Sequence, residues 1–229
     1  MIKIISNDQN FKTETDWLIS YHHFSFGEHY RPDKTNFGPL RVFNDDIIQP
    51  DMGFGFHQHK DMEIITYVTQ GRLEHKDSLG NTGTIEAGNI QRMTAGTGVF
   101  HSEYNQSKDE PLKLLQIWIT PDTKNLKPSW EQKTFSEKDR LDNFFQVIGP
   151  ANHALKIHQN VEFYISKLTK KAKYQIRLGR QCYLFVIAGN ITLNHISMKE
   201  KDSAEITNEA ELDVQSEHAE IILIDLPQS

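Results

Sequence analysis

Short apolar runs, each closed by a glycine or an asparagine, recur along this chain and restrict it to an all-β architecture. "MEIITYVTQGRLEH", "KLLQIWIT", "YLFVIAGNITLN" and "EIILIDL" are rich in branched and aromatic residues, which favour half-buried pleated surfaces. The stretch "DSLGNTG" (77–83) reads as a tight turn between strands, since glycine takes positive φ freely and asparagine tolerates it. This rhythm of strand and turn predicts a sandwich or small barrel rather than βαβ units. The rhythm also repeats. "TYVTQGRLEH" (66–75) is echoed by "LFVIAGNITLN" (184–194), and "GTIEAGNIQRM" followed by "LLQIWITP" is echoed by "SAEITNEAELDV" followed by "IILIDLP". The offset of roughly 107 to 121 residues implies two similar β-barrel halves with insertions between their elements. We place the boundary between them at 130/131, giving domains 1–130 and 131–229. The polar segment around it, broken by Pro121 and Pro128, has room for one short helix with Ser136 as N-cap and Asp139 closing a capping box.

Charge narrows the possible partners. The chain carries 25 basic and 31 acidic residues, a net charge of −6, and has no basic cluster. A nucleic-acid or anionic-membrane surface is therefore not expected, and small molecules or other proteins are. The one cysteine, Cys182, lies in the apolar run "QCYLFVIAG" and reads as a packing residue in a reducing compartment. The N-terminal residues lack an apolar stretch of signal-peptide length, and the longest apolar runs are far too short to span a bilayer. A cytoplasmic location is expected.

The chemistry concentrates in two places. In "GFGFHQHKDMEIITYVTQG", His57 and His59 are two apart, so on a strand they share a face. If the strand ran straight, Asp61 and Glu63 would join them, with Phe54 and Phe56 on the opposite face. With 11 histidines in 229 residues such a pair alone is weak evidence, and solvated histidines on an edge strand are the bland alternative. A second pair changes this. In "AGTGVFHSEYN" (95–105), His101 and Glu103 are again two apart, preceded by Gly96 and Gly98, which permit close backbone approach. Two such pairs on neighbouring antiparallel strands can converge on one point inside a barrel. The carboxylate that completes the set is then either Glu63 or Glu103. His22 and His23 suit a polar strand edge, while His75, His153, His158, His195 and His218 lack a partner at ligand spacing, and the C-terminal half contains no such pair.

These segments resemble the two consecutive motifs of the cupin superfamily. His57, His59, Glu63 and Gly71 match most of the first motif; Gly88, Gly96, His101 and Asn105 fit the second loosely, with Thr94 where that pattern has proline. Together with "FSFGEHY", "FGPLRVFNDD", "QRMTAGTGVFHSE" and "LLQIWI", they resemble the pirin family of bicupins, almost continuously through the N-terminal half. The resemblance implies two cupin-type barrels of double-stranded β-helix (jelly-roll) form with a few short helices. It also implies one divalent transition-metal ion held by His57, His59, His101 and Glu103. Glu63 would then support a ligating imidazole through a hydrogen bond, and the second barrel would serve packing or substrate enclosure.

Three imidazoles and a carboxylate suit Fe(II), which we favour, and equally Mn, Ni, Co, Cu(II) or Zn. An octahedral ion with four protein ligands keeps two positions open, whereas tetrahedral Zn would be closed. The resemblance implies a quercetin 2,3-dioxygenase: a small aromatic substrate and dioxygen as partners, and ring opening of a flavonol with release of carbon monoxide. Glu103 would act as the catalytic base as well as a ligand. Phe24, Phe26, Phe54 and Phe56 are candidates for an apolar wall. The same resemblance leaves an iron-dependent regulatory protein with a protein partner as the alternative, and an isomerase third.

Overall fold

The computed structural model describes residues 1–228. Strands dominate: β1 (Ile2–Ile5), β2 (Phe11–Glu14), β3 (Leu18–His22), β4 (Leu40–Ile48), β5 (Gly53–His59), β6 (Glu63–Gln70) and β7 (Arg72–Asp77) come first. They are followed by β8 (Thr82–Glu86), β9 (Asn89–Thr94), β10 (Val99–Asn105), β11 (Leu112–Ile119), β12 (Ser129–Thr134), β13 (Phe145–Ile148) and β14 (Glu162–Leu168). The last group is β15 (Lys171–Gln175), β16 (Arg180–Gly189), β17 (Ile191–Leu193), β18 (Ile196–Met198), β19 (Ser203–Ile206), β20 (Glu211–Gln215) and β21 (Ala219–Pro227). Among the described residues helix is confined to one 3₁₀ turn, Asn7–Gln9, and one α-helical turn, Glu137–Arg140. Ser136 caps the latter as expected. Its hydroxyl accepts from the N–H of Lys138 at 3.1 Å, the second helical residue, rather than from the third as a capping box requires. Among the described residues no helix is long and apolar enough to cross a membrane.

The chain forms two compact units. One holds 11–134 and 157–159; the other holds 1–10, 135–156 and the described residues from Asn160 onward. In the first unit a seven-stranded sheet of order β12-β9-β6-β11-β4-β3-β2 accompanies a four-stranded sheet of order β5-β10-β7-β8. Central strands such as β6 are almost continuously buried. Leu73 and Ile85 of the smaller sheet pack with Ile48, Val68, Leu112 and Leu114 of the larger, each contributing about 1.5–3 kcal/mol of burial. This cluster ties the two sheets into one barrel, and its Leu18 and Phe54 reach the polar side chains beside it.

The second unit repeats the plan. Its sheets run β1-β19-β16-β21-β14-β13 and β15-β20-β17-β18. Adding ten to each label of the series β9-β6-β11-β4 and β5-β10-β7-β8 reproduces the corresponding orders, so the echo in the sequence is a true structural repeat. Gly71 and Gly189, which end the echoed strands, both have φ near +80° (85° and 78°), a conformation that glycine adopts without steric cost. The interiors differ. Leu193, Leu212 and Val214 fill the second barrel together with Leu184, Val186 and Leu223, and its buried Asp225 and Glu162 pair with Arg180 and Arg177. β1 pairs with β19, across roughly two hundred residues, and places the first ten residues in this second unit.

Candidate metal centre

Antiparallel pairing of β5 with β10 sets His57 opposite His101 and Phe54 opposite Glu103. Two residues on β10 thus answer three on β5. This bulge inserts one extra residue into β5 and turns Phe54 to the same side as His57, where strict alternation would have sent it outward. Phe56 points to solvent instead and is 61% exposed. β5 also ends at His59. Asp61 takes a left-handed turn (φ 48°), and its carboxylate accepts the Asn125 N–H at 2.6 Å. Glu63 therefore begins a strand of the other sheet and does not continue the histidine face.

Three expected groups converge. The ligand-capable nitrogens of His57, His59 and His101 lie within 4.8 Å of one another. Nδ1 of His57 lies 2.8 Å from the Gly55 carbonyl. A carbonyl only accepts, so this nitrogen carries the proton and Nε2 keeps its lone pair. That lone pair faces Nε2 of His101 at 3.1 Å. Two nitrogens each about 2.1 Å from one ion, at roughly a right angle, would be about 3.0 Å apart. Burial, then the neighbouring imidazoles, hold His59 down to about 3; His101 is held to about 3 by burial, His57 and His75. Both are thus neutral at pH 7 and can offer lone pairs. The donor set and its geometry fit a divalent transition metal.

Glu103 is 2% exposed and closely held. Gln91 Nε2 donates to Oε1 at 2.8 Å, Thr66 Oγ1 to the same oxygen at 3.2 Å, and Gln116 Nε2 to Oε2 at 2.7 Å. Burial pushes its pKa up, against the pull of His75 and His57. Gly53 is needed here: a Cβ at this position would stand 2.2 Å from the Glu103 carbonyl oxygen. Glu103 joins His101 and His75, rather than His57 and His59, in a second group within 4.8 Å.

Glu63 departs from the expected supporting role. Its carboxylate accepts from Thr94 Oγ1 at 2.9 Å and lies 3.0 Å from His158 Nδ1; no imidazole of the cluster is among these partners. His158, read from sequence as unpartnered, is thus part of the Glu63 environment. His75 was equally hidden. It is fully buried, stacks on Trp130 (5.2 Å between centroids), and lies 5.3 Å from the His101 ring. The pairing of β7 with β10 sets it opposite Glu103. His22 and His23 are buried rather than on a polar edge; His23 packs on Phe43.

A cavity of about 290 Å³ opens beside the cluster. His57, His59 and Glu103 line it together with the aromatic Phe26, Phe54 and Trp118 and the polar Ser20, His22, Asn44, Asp46 and Gln116, His22 stacking on Phe26 at 5.2 Å between centroids. Of the four phenylalanines proposed for an apolar wall, Phe26 and Phe54 are in place, while Phe24 is buried elsewhere and Phe56 is exposed.

Comparisons with known proteins agree on the family. The family model described as Pirin matches residues 5–119, and that described as the quercetinase C-terminal cupin domain matches residues 148–226. The quercetin 2,3-dioxygenase of Escherichia coli strain K12 is 42% identical over 216 residues, covering 92% of each chain. A pirin-like protein of Caulobacter vibrioides is 40% identical over 215 residues, covering 91% of this chain and 92% of its own. The crystal structure of bacterial pirin YhhW of Escherichia coli in complex with nickel(II) superposes with a TM-score of 0.94 at 39% identity, over 100% of both chains. Matched over most of its length in sequence and throughout in fold, this chain belongs to the pirin family.

Proposed function

We propose that this protein is a metal-dependent dioxygenase that opens the ring of a flavonol such as quercetin, with His57, His59, His101 and Glu103 holding the ion. The observation that carries the reading is the three-histidine cluster opening, beside Glu103, onto a cavity with a mixed aromatic and polar lining. Relatives named quercetin 2,3-dioxygenase and the nickel(II) complex of a relative support it. Fe(II) and Ni(II) are the ions of first choice. Once bound, such an ion acidifies a hydroxyl brought to it and gives the electron-rich enolate a place to meet dioxygen.

The residues of the chain do the remainder. Phe26, Phe54 and Trp118 offer apolar contact to a flat ring system. Neutral His59 and His101 present lone pairs without proton competition at pH 7. Gln91, Thr66 and Gln116 orient Glu103 so that its carboxylate stays fixed. Glu103 is placed to accept the hydroxyl proton at the site. The test is reconstitution of the full chain with Fe(II), Mn(II), Co(II), Ni(II), Cu(II) or Zn(II), followed by quercetin in air, reading loss of its visible absorption and release of carbon monoxide. Turnover abolished by chelator is expected; absence of turnover with every ion refutes the enzyme and leaves a metal-binding regulatory protein.

A further inference from the structure

A second carboxylate faces the same cavity. Asp46, on β4, is 2% exposed and lines the cavity together with Ser20 and His22. Unlike Glu103, it stands at the head of a continuous chain of hydroxyls and imidazoles. Ser20 Oγ donates to Asp46 Oδ1. Ser20 Oγ lies 3.3 Å from His22 Nδ1; His22 Nε2 lies 2.9 Å from Thr13 Oγ1; and Thr13 Oγ1 lies 3.1 Å from His29 Nε2. Asp46, Ser20 and His22 are buried, and Thr13 and His29 are half-buried at the outer end. The chain therefore leads from the cavity wall toward solvent.

Donor bookkeeping gives this chain one consistent direction. Ser20 uses its only proton on Asp46, so it accepts from His22 Nδ1–H. A neutral His22 then accepts at Nε2 from the Thr13 hydroxyl, which in turn accepts from His29 Nε2–H. Reversing every bond yields an equally complete arrangement, in which Asp46 is protonated and His29 Nε2 receives. Hydroxyls and imidazoles exchange protons in this way. The carboxamides that hold Glu103 do not, and Thr66 leads from it to the carboxamides of Gln91 and Gln116. We propose that Asp46, Ser20, His22, Thr13 and His29 form a proton exit from the cavity, by which the hydroxyl proton of the substrate leaves for solvent. The inference rests on the dioxygenase reading for its substrate.

The reaction needs such an exit. Ring opening of a neutral flavonol by one O₂ with loss of one CO leaves an ester and a carboxylic acid, and the acid is ionised at pH 7. One proton is therefore released per turnover. The flavonol O–H bond breaks, its electron pair stays on the flavonol oxygen, and the proton, taken first by Glu103, passes to Asp46, where an O–H bond forms. Once the Ser20 and Thr13 hydroxyls and the two imidazoles have turned into the reversed arrangement, each link passes one proton outward, His29 gives one to water, and that passage restores the first arrangement. Burial, with the charges of Asp45 and Glu103 adding to it, raises Asp46 to about 7 against the Ser20 hydrogen bond, near the value at which a group both takes and releases a proton at neutral pH. Burial lowers His22 against a hydrogen bond to Asn44, with His29 adding to the lowering, and so favours the neutral ring that relays.

Two measurements test it, one of them free of turnover. With ¹⁵N-labelled histidine in the metal-free full chain, the His22 ring should change from the Nδ1–H to the Nε2–H tautomer as Asp46 gains its proton between pH 9 and pH 5. Asp46→Asn and Ser20→Ala should abolish that change while the other histidines titrate as before. A His22 ring indifferent to pH, or responding equally in both variants, overturns the relay. In the second, nickel(II)-loaded protein is mixed with quercetin without oxygen, and the red-shifted band of the bound flavonol anion is followed. Asp46→Asn, at unchanged metal content, should form that band at least roughly tenfold more slowly and lower kcat by about 100-fold; wild-type rates in this variant overturn the proposal. If His22 responds but wild-type protein neither binds nor consumes quercetin, the flavonol reading fails and the proton path stands.

Discussion

Gly53 provides the sharpest test of how β5 and β10 build the site. A methyl group there would lie 2.2 Å from the Glu103 carbonyl oxygen, 2.6 Å from the Tyr104 Cα and 2.9 Å from the Tyr104 ring. The first two atoms are backbone and cannot swing aside, so β10 must move by the better part of an ångström. Overpacking of this kind costs about 1–3 kcal/mol, and we place Gly53→Ala near the upper end, at about 2–3 kcal/mol. For a chain of this size that corresponds to a fall in Tm of roughly 4–12 °C. Gly55, two residues along the same strand, is the control. Its nearest neighbour to a built Cβ is the Tyr104 hydroxyl at 3.9 Å, an ordinary contact, and Gly55→Ala should stay within about 0.5 kcal/mol of wild type. The moved atom belongs to Glu103, so Gly53→Ala should also weaken metal binding while Gly55→Ala leaves it intact. Thermal unfolding and metal analysis after dialysis read both effects. Equal stability and equal metal content in the two variants would refute the close approach and the placement of Glu103 derived from it.

His101→Ala should strip bound metal, lowering affinity by more than the roughly 10–100-fold that losing a supporting hydrogen bond costs. Glu63→Gln should retain the metal, because Glu63 serves Thr94 and His158; the reverse ordering by metal analysis refutes the ligand set. In the metal-free protein His101 titrates at about 3 when folded and near 6.5 when unfolded, so between those values the unfolded chain binds the extra proton and this site loses stability as pH falls. Urea titrations should show the advantage of wild type over His101→Ala shrinking by about 2 kcal/mol from pH 7 to pH 5; a constant gap counts against a neutral buried His101. Cys182 is fully buried and its thiol is pushed up, first by burial and then by Asp225. It should resist thiol reagents in the native state and react on unfolding, as a mass shift would record.

Much of the site was legible because alternation is a local rule. His57 with His59 and His101 with Glu103 could be assigned to shared faces from their spacing alone, and the glycine-terminated echoes at Gly71 and Gly189 marked the repeat. What escaped was non-local. The bulge in β5 exists only in relation to β10, so Phe54 was sent to the wrong face. His75 meets Glu103, and His158 meets Glu63, through pairings and loops that no spacing announces. Asp46 sits in "RVFNDDIIQ", where two adjacent acids look like a solvated strand margin; only the fold turns one of them into the cavity and sets Ser20 beneath it. Asp61 looked like a continuation of the histidine strand because nothing in "HKDME" declares the left-handed turn.

The supernumerary residue in β5 acts as a phase shift along the strand. On its C-terminal side the odd-numbered histidines look inward; on its N-terminal side the even-numbered Phe54 does. Excising one residue at 55–56 would erase that change of phase without touching a ligand, turning an aromatic wall toward water while both imidazoles stayed in register with His101. Where a family keeps its metal but changes what lies beside it, a single-residue indel at this spot is a more economical route than any set of substitutions.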